Sequence, residues 1–432
     1  MSMNAKWCFF LLLFSCASCA VDAEQDVVRQ IATSVAADKA YGIQLLERAV
    51  NINSGTDNLA GVKAVADVFA PEFEALGFQV TWLDGSGFNR AGHLVAEYGK
   101  VGPKILLIGH LDTVFAQDSE FQRFQVVDER YVRGPGITDM KGGDVVMLLA
   151  LKALKTAGLL DQLQIRVLLT GDEESRGTPM VLATQALVEA GDWADIALGF
   201  EDGDSNPETA VIARRSAANW RLSVQGRPAH SSQIFQPGMG DGAIFEMARV
   251  LNAFREALSG QALLTFNPGV VVAGTDIDLA DDGRGKAFGK ANVIAASAKV
   301  SGDLRAISAE QQQQAWAAMA KIAAASLPHT KTVFSYEDRY PPMAPTEGNK
   351  QLLALYSQAS EDLGYGPVRA VDPRKAGAAD ISFVAGRVDM ALDGLGLMGA
   401  GGHTDQETAD MNTLVSQAAR AALLMARLAD VK

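Results

Sequence analysis

From residue 24 onward the chain alternates between two hydrophobic periods. VRQIATSVAADKAYGIQLLERAVNI and LAGVKAVADVFAPEFEALG repeat apolar residues three and four apart, which predicts helices over 24–75. Short apolar, β-branched runs follow, QVTWL at 79–83, HLVAEYG at 93–99 and KILLIGH at 104–110, and each reads as a strand. GGDVVMLLALKALKTAG at 142–158 is a helical run. QIRVLLTGDEE at 164–174, a helix over 179–190 and DIALGFE at 195–201 continue the alternation. Strand and helix in turn predict an α/β class with a doubly wound, mostly parallel sheet covered by helices on both faces.

The pattern changes near Ala213. NWRLSVQGR (219–227) reads as a strand, DGAIFEMARVLNAFREAL (241–258) as a helix, and LTFNPGVVVAG (264–274) and ANVIAASAKVSGDLRAI (291–307) as strands. AEQQQQAWAAMAKIAAASL (309–327) is a helix and KTVFSYED (331–338) a last strand. The order β-α-β-β-α-β is the split βαβ, ferredoxin-like arrangement. We therefore expect an α+β domain over 214–341 inserted into a domain built from 24–213 and 342–432. YPPMAPTEGN is the return linker, followed by the helical NKQLLALYSQASEDLG, the strand-like DMALDGLGLMG and the helical TLVSQAARAALLMARL. The acidic, glycine-rich stretch 275–292 reads as a solvated hairpin excursion, with a specificity loop as the alternative.

Composition narrows the class. A chain of 432 residues, 48% hydrophobic and 21% charged, can bury two or three cores and does not fit disorder, collagen or a long coiled coil. Its net charge of −13 repels phosphate backbones, so nucleic acid is not an expected partner. All three cysteines, Cys8, Cys16 and Cys19, fall in the first twenty residues. There Lys6 precedes WCFFLLLFSCASCA, an apolar run of about a dozen residues that ends in small residues, as a secretory signal does. Residues 1–23 are expected to be a signal peptide, and the protein to be exported, periplasmic or secreted. Asp22 and Glu24 cut the run short of the about 20 residues a membrane span needs, so no span is expected. The alternatives are a buried N-terminal helix and a lipoprotein anchor on Cys16 or Cys19. Without a later cysteine, any metal must be held by histidine and carboxylates.

Such residues gather at strand ends. His110 closes KILLIGH with Asp112 two places on, Asp139 lies in GPGITDMKGG just before a helix, and Glu173 and Glu174 follow QIRVLLTGD. Glu201 follows DIALGF, and His403 follows ALDGLGLMGAGG. In an open α/β sheet, groups at the carboxyl ends of the strands line one crevice. Two histidines and several carboxylates suit zinc or another first-row divalent ion. Asp112 points the same way as His110 off the strand and can accept the second N–H of its imidazole.

GHLDTV, GPGITDMKGG, TGDEESRGT and GGHTDQE, in this order, resemble the motifs of the di-zinc metallopeptidases that include glutamate carboxypeptidase, peptidase T, aminoacylase-1 and succinyl-diaminopimelate desuccinylase. LGFEDG is most similar to the glutamate carboxypeptidase-like members. The resemblance implies that His110 and Glu201 bind one zinc, Glu174 and His403 the other, and that Asp139 bridges them, with cobalt or manganese as other ions the site would take. It implies Glu173 as general base, a cis peptide bond after Asp139, and an inserted domain serving as lid and homodimer surface. GRPAHSSQ and ANVIAASAKVSGDLRAI match family segments that meet the substrate, which singles out His230, Asn292 and Arg305, and KAGAADIS, standing where a third such segment lies, adds Gly377. Arg305 suits bidentate capture of a carboxylate; an ion pair with Asp303 is the equal alternative. KAGAADIS departs from the family's Gly-Gly-x-Ser/Thr-Asp pattern, and Arg374 and Lys375 lie just upstream of it. His93 and His329 match no motif and are expected to be structural or exposed. The expected reaction is hydrolysis of an amide beside a free carboxylate, on a small peptide. A deacylase of N-acyl amino acids using the same metals is the second reading, and a non-catalytic metal-dependent binding protein the third.

Overall fold

A computed structural model describes residues 24–429. The reading of residues 1–23 as a signal peptide lies outside the described residues. In chain order the larger elements are helix α1 (24–37), α2 (Lys39–Val50), α3 (Leu59–Ala75), strands β1 (Gln79–Asp84), β2 (Gly92–Tyr98) and β3 (Lys104–His110), and α4 (Lys141–Thr156). They continue with β4 (Gln164–Thr170), α5 (Gln185–Trp193), β5 (Ile196–Gly199), β6 (Ala217–Gln225), α6 (Gly242–Leu258), β7 (Thr265–Gly274) and β8 (Ser297–Arg305). Then come α7 (Ala309–Ala324), β9 (Lys331–Tyr340), α8 (Glu347–Asp362), β10 (Met390–Leu392) and α9 (Asn412–Leu428). The described chain divides into two compact units, one of residues 24–212, 346–371 and 383–429, the other of residues 213–345 and 372–382.

The first unit is the α/β part. Its six-stranded sheet has the order β1-β2-β4-β3-β5-β10. β4, β3, β5 and β10 run parallel, while β1 and β2 form an antiparallel edge. Ile105, Leu106, Leu107 and Ile108 are all buried, so β3 is covered on both faces as a doubly wound sheet requires. α4 packs against β3 and against α2 and α9, and its run from Val145 to Leu151 is fully buried. A helical stretch apolar all round, as this run is, belongs in a core.

The second unit is the expected α+β fold. Four antiparallel strands in the order β7-β8-β6-β9 carry α6 and α7 on one face, over a core that includes Trp220, Phe254, Trp316 and Leu304. The excursion at 275–292 is a hairpin, Asp276–Leu279 paired with Gly285–Phe288, and Arg221 reaches Asp281 near its tip at 2.6 Å. One boundary differs from the expectation of a continuous return segment over 342–432. Residues 372–382 group with the inserted unit, where the Arg214 guanidinium donates to the Gly377 carbonyl at 2.7 Å. Among the described residues no helix is long and apolar enough to cross a membrane.

Candidate metal centre

The parallel strands place the chemistry. β3 ends at His110, β4 ends three residues before Glu173, and β5 ends two before Glu201, so all three deliver their groups to the same edge of the sheet. Asp139 sits just ahead of α4, and the Asp139-Met140 bond is cis. His403 lies in the loop between the short strands Gly399–Ala400 and Thr408–Asp410.

Two triads result. The ligand atoms of His110, Asp139 and Glu201 lie within 4.8 Å of one another, as do those of Asp139, Glu174 and His403. Asp139 belongs to both. Its Oδ1 is 3.1 Å from His110 Nε2 and its Oδ2 is 2.9 Å from His403 Nε2. Glu201 Oε1 stands 3.7 Å from His110 Nε2, and Glu174 Oε2 stands 3.2 Å from His403 Nε2. Glu174 Oε1 is buried and has no hydrogen-bond partner, and Glu173 belongs to neither triad. A nitrogen-and-oxygen donor set with an orphaned buried carboxylate oxygen fits divalent metal ions, and one carboxylate shared by two triads fits a pair of them.

Electrostatics follow from this crowding. Burial opposes ionisation of Asp139, but hydrogen bonds with His110 and His403 outweigh it and hold its carboxyl below the ordinary range. Burial pushes the Glu201 carboxyl up, helped by the Asp139 charge. Burial likewise raises Glu174, against its bond to His403. Hydrogen bonds to Asp139 and Glu174 lift His403 to about 11. Burial would lower His110, but Asp112 and Asp139 raise it well above the usual imidazole value. The carboxylates around each histidine thus favour its charged form.

Asp112 does more than expected. The nearest acceptor for His110 Nδ1 is the Asp112 backbone carbonyl at 3.0 Å, with the carboxylate Oδ1 at 3.4 Å. That carboxylate is fully buried and accepts from the Thr56 hydroxyl (2.6 Å) and from the backbone N–H groups of Glu173 and Glu174 (both 3.1 Å). Burial would raise it, yet the His110 charge and the Thr56 hydroxyl keep it low. Sequence reasoning missed Thr56, whose hydroxyl carries no metal-ligand signature. It also gave no role to Glu407, although GGHTDQE contains it. Glu407 is fully buried and accepts from the N–H groups of Gly136, Thr138 and Asp139. Burial lifts it to about 7 against those bonds. Two further buried titratable groups lie behind the site. Lys141 donates to the Ile52 carbonyl and is lowered to about 7 by burial. Asp144 has both oxygens unpartnered and is pushed well up by burial.

The four substrate residues named from the sequence lie in the inserted unit. The Ile294 N–H donates to the Ala229 carbonyl and the Ser231 N–H to the Asn292 carbonyl, which pairs His230 with Val293, the residue next to Asn292. His230 Nδ1 is 2.9 Å from Ser232 Oγ. Arg305 is paired with Asp303 at 3.5 Å, and the Gly377 carbonyl is held by Arg214. His93 is structural: its Nδ1 accepts from the Gly171 N–H at 3.2 Å and its ring stacks on Phe88. His329 is exposed and bonds the Pro237 carbonyl at 2.6 Å.

Residues 106–430 match the family described as Peptidase family M20/M25/M40. The chain belongs to this family. As an M20 protein with this ligand cluster it is a metallopeptidase or amidohydrolase. Its relatives include carboxypeptidase G2 of Pseudomonas sp. (strain RS-16), 28% identical over 396 residues that cover 89% of this chain and 88% of that one. A probable succinyl-diaminopimelate desuccinylase of Staphylococcus epidermidis (strain ATCC 35984) is 31% identical over 168 residues, 38% of this chain and 40% of that one. Among solved structures, aminopeptidase PepT of Bacillus cereus ATCC 10987 shares the fold with a TM-score of 0.71 at 18% identity, over 90% of this chain and 99% of that one. The Bacillus subtilis YXEP protein, described as a dinuclear metal binding peptidase of the M20 family, does so with a TM-score of 0.60 at 18% identity, over 90% and 99%.

Proposed function

We propose that this M20 protein is an exported exopeptidase of the carboxypeptidase type that binds two zinc ions and cleaves an amide beside a free carboxylate. The observation that carries the proposal is Asp139, which gives one oxygen to the His110–Glu201 triad and the other to the Glu174–His403 triad. In this reading His110 and Glu201 would hold one ion, Glu174 and His403 the other, and Asp139, common to both groups, would serve both. Two such ions, when bound, would supply the Lewis acidity that lowers the pKa of an attacking water and polarises the scissile carbonyl. Glu173 stays outside the ligand set, takes the proton of that water and hands it to the leaving nitrogen. Asp112 holds the Glu173 and Glu174 backbone in place while it orients His110. In the inserted unit, His230, Asn292, Arg305 and Gly377 are assigned to the substrate's oxyanion and carboxylate. The match to carboxypeptidase G2 over most of both chains supports this reaction. Deacylation or desuccinylation of an N-acyl amino acid is the second reading, supported by the desuccinylase relatives.

Export is part of the proposal and rests on the sequence of residues 1–23. A homodimer through the inserted unit is a further part, supported by the exposed Phe235, Ile244 and Phe245, the two phenylalanine rings 5.6 Å apart. The test is a screen of zinc-loaded mature protein against C-terminal glutamyl dipeptides, N-acetyl amino acids and N-succinyl amino acids. Preference for the dipeptides is expected, and preference for succinyl substrates would move the reading to desuccinylation. In the same assay Glu173→Ala should keep its metal and lose at least about two orders of magnitude in rate, the scale of a lost acid–base group. Turnover near the wild-type level would exclude Glu173 as base.

A further inference from the structure

We propose that Glu407 is a positioning residue that sets the two halves of the metal centre in register; the inference rests on the metal reading above. Glu407 is fully buried, although residues 401–406 before it are exposed. Its Oε2 accepts from the Gly136 N–H at 2.8 Å. Its Oε1 accepts from the Thr138 N–H at 2.9 Å, the Asp139 N–H at 3.2 Å and the Thr138 hydroxyl at 3.3 Å. The Glu407 backbone carbonyl accepts from the Gly134 N–H at 3.2 Å. Five donors of the 134–139 loop therefore end on one residue, four places from His403.

The surrounding backbone makes the same connection. Thr408–Asp410 pairs antiparallel with Tyr131–Arg133, and the Arg133 guanidinium donates through Nε to the Asp405 carbonyl at 2.8 Å. Strand pairing lays the Asp139 loop beside the His403 loop. The Glu407 carboxylate then fixes how far the Asp139 backbone extends toward His403. Asp139 and His403 are far apart in sequence, yet Asp139 must meet both histidines within about 3 Å, the reach of one hydrogen bond. An ionised carboxylate fits four donors because each of its oxygens accepts and neither donates. A glutamine in its place keeps one acceptor oxygen and turns the other position into a donor facing an N–H.

The test compares zinc binding by Glu407→Gln and wild-type full-length protein, read by competition with a chromophoric chelator and by metal analysis. The melting temperature of each metal-free protein is measured alongside. We expect Glu407→Gln to lose about 10- to 100-fold in affinity at both sites together, the usual cost of losing an outer partner of a metal ligand. Its kcat should fall more than its KM rises, and its metal-free melting temperature should stay close to wild type. Glu407→Asp, which keeps the charge, should recover part of the affinity, and it carries the test if the glutamine variant does not fold. Wild-type affinity for both ions in these variants would overturn the inference alone. A wild-type protein that binds no zinc would overturn the metal reading and the inference with it.

Discussion

One buried carboxylate, Asp112, touches a ligand histidine and the backbone of both Glu173 and Glu174, so the proposed ligand and base are indexed from a single point. The protons on the histidines give this geometry a measurable consequence. In the metal-free protein Asp139 and Glu174 hold His403 at about 11, against about 6.5 for an imidazole in an unfolded chain. A folded value above the unfolded one adds stability that is complete below about pH 6.5 and is lost as pH rises through about 11. Metal must displace the same protons, so its affinity should rise with pH and binding at pH 7 should release protons. Calorimetry in buffers of different ionisation enthalpy measures that release, and a binding heat independent of buffer would contradict the pairing of His403 with Asp139 and Glu174. The ligand types of His110, Glu174 and Glu201 were legible in the sequence because each closes or closely follows a hydrophobic strand run, and those of Asp139 and His403 because their segments resemble family motifs. Thr56 and Glu407 were not legible. Each acts through a hydroxyl or a backbone contact across a long stretch of chain, and no local period encodes that.

At the scale of elements, α4 explains the glycine pair that follows Lys141. A Cβ on Gly142 would lie 2.2 Å from the Ile137 carbonyl oxygen, and one on Gly143 would lie 1.9 Å from that of Phe200. Both contacts are with backbone, which cannot swing aside. Ile137 precedes Asp139 in its loop and Phe200 precedes Glu201, so the two glycines let the start of α4 seat against both ligand-bearing segments. Gly143→Ala should cost about 1–3 kcal/mol, the range for overpacking, and reduce bound metal. A melt with metal analysis checks this; unchanged stability and metal content would show that the close seating is unnecessary. The long strands and helices followed their hydrophobic periods closely, and KILLIGH is strand β3 residue for residue. Departures came where side-chain pattern does not decide the backbone. The expected strand over 291–307 begins only at Ser297, because Asn292 and Ile294 bond the 229–231 loop instead. DMALDGLGLMG joins the sheet only over Met390–Leu392, since Gly394 turns the chain at φ +77. The expected helix over 179–190 is split at Thr184 into Met180–Ala183 and Gln185–Trp193.

For the whole molecule, the inserted unit has its own core and carries the exposed Phe235, Ile244 and Phe245. Contiguous apolar groups on a surface mark contact sites more often than they stand alone. Phe245→Glu should turn a wild-type dimer into a monomer in sedimentation-velocity runs; a monomeric wild type, or a variant that still dimerises, would refute the proposed interface. The spread of the ligands along the chain, from His110 to His403, has a consequence in time. All residues of the first triad have been made once Glu201 is synthesised, but the second triad waits for the whole inserted unit and the return of the chain to His403. Contacts between such distant residues form late, after the local ones. Tight capture of a second ion therefore marks a finished fold, and a chain stopped anywhere before His403 can assemble at most the first half of the centre.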